Sequence, residues 1–157
     1  MLFRSTSSSD PRASDPSTAR FTVVSEARIT GISALDTVIN TVATGRTRIF
    51  HLPGGGAGFA DPASFSRGRP VATFTATFQT NLALDGPDHA GATLGAELTQ
   101  QGARTFTHEG RRVQLGRPGL AWSMRATGRG ERTDAVAPRS VIVLSGDMGV
   151  LDAQPSG

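Results

Sequence analysis

The stretch that most constrains the fold is PVATFTATFQTNLAL, residues 70–84, in which apolar and polar side chains alternate almost without a break. One face of an extended chain would carry its apolar members Ala72, Phe74, Ala76, Phe78, Leu82 and Leu84. Successive side chains of a β-strand point to opposite faces, so this pattern predicts one long strand with a single buried face. Strands of this length must bend or coil, which is typical of barrels and strongly twisted sandwiches.

The rest of the chain predicts further strands that pair in antiparallel fashion. Short alternating stretches are separated by turns that contain Gly or Pro, and the whole chain contains about eight such strands with no βαβ rhythm. We therefore expect a mainly β fold: an antiparallel β-barrel or a twisted β-sandwich with one short helix. The strand count resembles that of calycin-like and cyclase barrels, with no family motif matched residue by residue.

The one short helix is predicted over residues 33–45, SALDTVINTVATG. Its apolar residues follow the i, i+3, i+4, i+7 spacing of a helix face; they are Leu35, Val38, Ile39 and Val42. Ser33 and Asp36 have the spacing of a capping box, and Gly45 suits the position after a helix end.

Length and composition favour one domain with a polar arm. Residues 1–20 are rich in Ser, Asp, Pro and Arg and predict a disordered or extended N-terminal arm, and residues 21–157 predict a single antiparallel β domain. The chain has no cysteine, which excludes disulfides and zinc–thiolate sites. Long apolar runs are absent, as is the apolar segment of a secretory signal, so we expect a cytoplasmic protein with no membrane partner.

Positive charge is concentrated in residues 103–132. This segment holds seven arginines and two glutamates, whereas the whole chain has a formal net charge of only +3. Charged strand edges and turns that discourage edge-to-edge pairing explain this distribution most simply. Nucleic-acid binding through the arginine-rich hairpins is a distant alternative, because proteins that bind nucleic acid usually carry more charge.

The glycine-rich stretch HLPGGGAG, residues 51–58, fails the templates that would assign it a chemistry. A dinucleotide fingerprint would need glycine where Phe59 or Asp61 stands, and a P-loop would need the lysine that this chain lacks. An α/β-hydrolase oxyanion loop would need a G-x-S-x-G elbow elsewhere, which is absent. We interpret the stretch as a connecting loop and expect no cofactor, with Asp61 and Pro62 opening one helical turn after it.

The histidines are the best candidates for chemistry. No two of His51, His89 and His108 have the spacing that pre-organises a metal site, so we predict no metal. His108 shares strand parity with Arg104 and Phe106, so all three side chains point inward if Phe106 does. A buried His and Arg would be catalytic candidates in a pocket, and His51 ranks behind them. In the alternative, Arg104 and His108 extend to water at the two ends of their strand.

The candidate ligand-binding residues are large apolar side chains predicted to face inward: Phe74, Phe78, Phe106, Trp122 and Met124. Small inward residues such as Ala72, Ala76 and Ala96 would leave volume for a ligand among them. Simple core packing explains the same pattern. With inverted parity the threonine face would be the interior, and Glu97 would become a candidate acid or base.

Three functional hypotheses follow. The first is a small β-barrel that binds a small, largely apolar molecule in its interior. The second adds catalysis there, a cofactor-free isomerisation or cyclisation assisted by one or two polar groups. The third is a structural or assembly subunit that uses the N-terminal arm and the apolar strand SVIVLS, residues 140–145, for homo-oligomer contacts.

Overall fold

The structure is a computed structural model that describes residues 2–3, 16–58, 60–134 and 139–151. Over these residues the strands are β1 (Leu2–Phe3), β2 (Phe21–Leu35), β3 (Val38–His51), β4 (Arg69–Leu84), β5 (His89–Ala103), β6 (Phe106–His108), β7 (Arg111–Val113), β8 (Ala121–Asp134) and β9 (Arg139–Val150). Short 3₁₀ helices cover Pro16–Thr18 and Pro62–Ser66. Most of the predicted N-terminal arm, residues 1 and 4–15, lies outside the described residues.

The mainly β, antiparallel fold predicted from the sequence is confirmed. Seven strands form one sheet in the order β1-β2-β3-β4-β5-β8-β9, and β6 and β7 form a separate hairpin. The long alternating stretch is strand β4, whose side chains alternate between buried and exposed from Ala72 to Thr80. The sheet order is open, with β1 and β9 at its ends. Of the two predicted architectures, it is therefore consistent with the twisted sandwich and not with the closed barrel.

The prediction of a helix over residues 33–45 is wrong. This segment is a β-hairpin, in which β2 ends at Leu35, Asp36 and Thr37 form the turn, and β3 begins at Val38. Asp36 takes the left-handed conformation, with φ of 53°, which Asp and Asn tolerate better than other side chains. The segment is rich in β-branched residues, which favour strands over helices because their χ1 angles are restricted in a helix.

The chain forms two compact units, and strands β2 to β5 contribute residues to both. Unit 1 comprises Met1–Ala27, Gly45–Thr75 and Thr99–Leu120. Its core includes a cluster of Phe50, Leu52, Ala57 and Phe65, all at most 6% exposed. Unit 2 comprises Arg28–Thr44, Ala76–Leu98 and Ala121–Gly157. Its most buried side chains lie on alternate positions of β4 and β5, including Phe78, Ala92, Leu94 and Leu98.

The glycine-rich loop of unit 1 is held in place by backbone hydrogen bonds. The N–H of Gly56 donates to the Ser17 carbonyl at 2.7 Å, and the N–H of Gly58 donates to the Ser64 hydroxyl at 2.9 Å. Asp61 caps the following 3₁₀ helix by accepting a hydrogen bond from the Ala63 N–H at 3.2 Å. The helical turn predicted at Asp61 and Pro62 is therefore confirmed, and the loop connects β3 to β4 as expected.

Candidate functional site

His51 occupies the last position of β3 in unit 1. Burial along this strand increases toward its end, so that Ile49, Phe50 and His51 are all at most 5% exposed. His51 itself is 4% exposed. A buried imidazole needs partners for its ring nitrogens, and one of its partners is a second histidine.

That second histidine is His108, at the end of strand β6. The β6–β7 hairpin turns through Glu109 and Gly110, both with positive φ, and its register pairs His108 with Arg111. Phe106 lies two residues earlier on the same face and is 5% exposed. The His108 side chain is 30% exposed, so it reaches solvent, whereas the Phe106 side chain is buried.

The two imidazoles are in direct contact. Nδ1 of His108 lies 3.3 Å from Nε2 of His51, and the ring centroids are 5.4 Å apart at an interplanar angle of 78°. Two phenylalanine rings complete the group: Phe106 lies 4.7 Å from His51, and Phe21 lies 5.1 Å from His51 and 5.2 Å from His108 between centroids. We refer to Phe21, His51, Phe106 and His108 as the histidine–phenylalanine cluster.

The electrostatic environment keeps His51 neutral. Burial lowers the pKa of His51 below its usual 6.5, and the positive charges of His108 and Arg20 lower it further. The Arg20 guanidinium is held nearby by donating to the Pro53 carbonyl. The exposed carboxylate of Glu109 lies 3.9 Å from Nε2 of His108.

This arrangement can transfer a proton. A neutral imidazole has one N–H donor and one acceptor nitrogen, so either ring can be the donor in the contact between the two histidines. When His108 Nδ1 donates to His51, His108 Nε2 is a free base. Once Nε2 has taken a proton, His108 is an imidazolium whose Nε2–H is an acid, and its Nδ1–H still donates to His51. The half-exposed nitrogen of His108 can therefore take or give a proton, and His51 stabilises both forms.

The sequence nominated three of the four cluster residues. His51, His108 and Phe106 were separate candidates, and the fold brings them together although His51 and His108 are 57 positions apart. Phe21 and the neighbouring Arg20 were missed as site residues. The available signal was the apolar side chain of Phe21 at the start of β2, which does not distinguish a site from a core.

The remaining candidates lie elsewhere. Arg104 is exposed between β5 and β6, and its backbone N–H donates to the Val71 carbonyl at 2.8 Å. Phe74 is 1% exposed in the core of unit 1. Phe78, Trp122 and Met124 belong to unit 2, where Phe78 is buried and the other two are half-buried. Their roles as catalytic or ligand-binding residues stay predictions.

Unit 2 carries an open cavity of about 510 Å³, which none of the predicted site residues lines. Its lining combines small and polar side chains with one cation: Val38, Asn81, Ala83, Gly91, Ala92, Thr93, Thr127, Gly128 and Arg129. Asn81 is fixed in this lining because its side-chain oxygen accepts a hydrogen bond from Asn40 at 2.6 Å. The cavity is a groove on unit 2 alone, with no histidine or carboxylate in it.

Within the described part of the chain, no three or more His, Asp or Glu side chains are grouped so that they could hold a metal ion. Nor does any described helix have the length and apolar character needed to cross a membrane. Comparison with known proteins adds no assignment: no family model, curated protein or solved structure matches the chain.

The lowered pKa of His51 predicts a pH dependence of stability. The unfolded chain protonates this imidazole near pH 6.5, whereas the folded protein resists protonation to lower pH. Stability from neutral His51 is therefore full above pH 6.5 and is lost as the pH falls through the folded-state pKa. Urea unfolding should show a falling midpoint from about pH 7.5 to about pH 5.5. The decrease should be smaller in His51→Gln and unchanged in His89→Gln, which replaces an exposed histidine. Equal decreases in all three proteins would contradict the assignment.

Proposed function

We propose that the protein binds a small, largely apolar molecule and moves a proton on it without a cofactor, as in an isomerisation or cyclisation, at the His51–His108 pair. The observation that carries this proposal is the 3.3 Å contact between His108 Nδ1 and His51 Nε2 among two phenylalanine rings. An imidazole that can both accept and donate a proton suits such a step.

His108 would be the group that touches the substrate. Its side chain is 30% exposed, whereas His51 is 4% exposed, so His108 is the more accessible of the two to a bound molecule. Its Nδ1 contacts His51, which leaves Nε2 for the substrate. On taking a proton at Nε2, His108 keeps its Nδ1–H directed to His51, and the charge stays on His108 beside Glu109. Returning that proton to another atom of the same molecule completes an isomerisation with no net change in the protein.

The aromatic neighbours support an apolar substrate. Phe21 is half-buried and stands 5.2 Å from His108 between ring centroids, so an apolar ring adjoins the accessible imidazole. Phe106, on the strand that carries His108, packs against both His51 and Phe21, with ring centroids 4.7 Å and 5.7 Å away. An apolar molecule covering Phe21 would place its acidic C–H near His108 while excluding water from the proton transfer.

A test substrate with the required chemistry is 5-nitrobenzisoxazole, a small flat aromatic molecule. A base removes its C3 proton, the ring N–O bond breaks, and the electrons go to the oxygen of a coloured nitrophenolate. We expect the protein at neutral pH to open this ring faster than free imidazole at the same concentration. His108→Gln should lower the protein-catalysed rate at least about tenfold, since it removes the base.

Two control variants locate the reaction. His89→Gln removes an exposed histidine of unit 2, and Thr127→Trp fills the cavity of that unit. Both should leave the rate unchanged. A wild-type rate no greater than that of imidazole, or a rate that survives His108→Gln and is lost in Thr127→Trp, would overturn the proposal.

A further inference from the structure

The outer edge of β2 in unit 2 has no neighbouring strand among the residues that the structure describes. In the described residues β1 pairs with β2 only at Val23 and Val24, and β3 lies on the other side of β2. Residues 28–35, RITGISAL, are all exposed. A free edge presents a row of backbone N–H and C=O groups that another strand can bind.

This edge also exposes large apolar side chains. Ile29 is 55% exposed, Ile32 is 67% exposed and Leu35 is 82% exposed. Natural sheets usually protect long edges with prolines, inward-pointing charges or lysines, and residues 28–35 contain none of these beyond Arg28 at their start. The edge therefore has the composition of an interface.

The hairpin turn indicates which backbone groups face outward. Leu35 and Val38 flank the two-residue turn of Asp36 and Thr37, and residues flanking such a turn hydrogen-bond to each other. Along a regular strand this alternates, so Leu35 and Ser33 direct their backbone groups to β3. Ile32 then directs its N–H and C=O away from β3, toward the free edge.

From this placement we propose that the β2 edge binds the β2 edge of a second copy of the chain, in antiparallel fashion, about a twofold axis at Ile32. In that register Ile32 lies opposite Ile32 on one face of the paired strands, and Ile29 lies opposite Leu35 on the other face. Arg28 then lies close to Asp36 of the second copy, the turn residue that directly follows β2, so each end of the paired segment brings opposite charges together. A register centred on Thr30 would place Arg28 opposite Ile32 and Leu35 opposite Ser25. Both the apolar pairing and the charge pairing would then be lost.

The occupant is a second copy because the segment is complementary to itself. One charged residue of each sign lies at equal distance from Ile32, and the large apolar residues between them match, Ile29 with Leu35 and Ile32 with itself. Isologous contacts of this kind close into a dimer. The inference is independent of the proposed catalysis, because all its residues belong to unit 2 and the histidine–phenylalanine cluster belongs to unit 1.

The test is sedimentation velocity of the full chain over a wide concentration range. We expect a monomer–dimer equilibrium for the wild type. Ile32→Lys places two ammonium groups together at the twofold axis and should raise the dissociation constant at least about tenfold. Thr77→Lys adds the same charge at an exposed position of β4 and should leave the dissociation constant unchanged.

A charge test gives a second, independent readout of the register. Arg28→Asp places two carboxylates opposite each other and should weaken the dimer. Adding Asp36→Asn removes one of these charges and should restore part of the affinity, and Asn tolerates the positive φ at position 36. Wild-type protein that stays monomeric throughout overturns the proposal, as does a dimer that both Ile32→Lys and Arg28→Asp leave intact.

Discussion

Replacing Phe65 with alanine is expected to lower the free energy of unfolding by about 3–5 kcal/mol. Phe65 is 1% exposed and packs in the core cluster with Phe50, Leu52 and Ala57. The substitution removes a ring from a site whose walls come from β3 and from the loop after it. That loop is fixed by the hydrogen bonds of Gly56 and Gly58, so the cavity has little freedom to collapse. Thr22 adds a constraint, because its hydroxyl donates to the Phe65 carbonyl at 2.6 Å.

The control for this prediction is the next residue along the chain. Ser66 is exposed, and its hydroxyl donates only to the Ala63 carbonyl of the same short helix. Ser66→Ala should change the free energy of unfolding by no more than about 0.5 kcal/mol. Urea unfolding of both variants and the wild type provides the measurement. A loss below about 1 kcal/mol for Phe65→Ala would mean that the cluster is not a packed core.

Replacing Gly146 with alanine is expected to cost about 1–3 kcal/mol. Gly146 faces Ala126 in the β8–β9 ladder. A Cβ at position 146 would overlap the Arg125 carbonyl oxygen and would stand 2.7 Å from the Ala126 Cβ. These obstacles are largely backbone, so the two strands must separate to accommodate a methyl group. Gly45 stands in the same relation to Ala27 in the other unit, which marks both positions as close approaches between strands.

Gly149 is the matched control, since it lies in the same strand. A Cβ there would meet no heavy atom within 4 Å. Gly149→Ala should therefore be neutral, within about 0.5 kcal/mol, or slightly stabilising because alanine lowers the entropy of the unfolded chain. Thermal or urea unfolding of the pair tests the difference. Equal effects at positions 146 and 149 would show that strand separation at Gly146 is not limiting.

Much of the fold could be predicted because side-chain alternation is a direct consequence of strand geometry. The apolar face of β4 was predicted correctly from Ala72 to Phe78. The segment 33–45 shows where the spacing of apolar residues fails to predict the secondary structure. Its apolar residues satisfy helical spacing by coincidence, because a two-residue turn between two strands shifts the phase of the alternation. Tertiary pairing of β2 with β3 determines the outcome, and one segment's pattern does not contain that information.

The candidate site was only partly predictable for a related reason. Each histidine could be nominated by its residue type, and Phe106 by its parity with His108. The contact between His51 and His108 depends on how the β6–β7 hairpin lies against the end of β3, across 57 positions of sequence. Phe21 joins the cluster by the same long-range packing. No local pattern encodes such a contact, so the sequence could nominate three of the four members but not their arrangement.

The central claim is that His51 and His108 act as one pair. Its most direct test is a pH titration of the histidine side chains, monitored by long-range ¹H–¹⁵N NMR of the imidazole nitrogens. If His51 and His108 form one proton-transfer pair, His51 will titrate below its usual 6.5. In His108→Gln the pKa of His51 will rise, because one of the charges that lower it is removed, yet burial will keep it below the usual value. A His51 that titrates at or above 6.5 in the wild type, or that does not respond to His108→Gln, would contradict the pair.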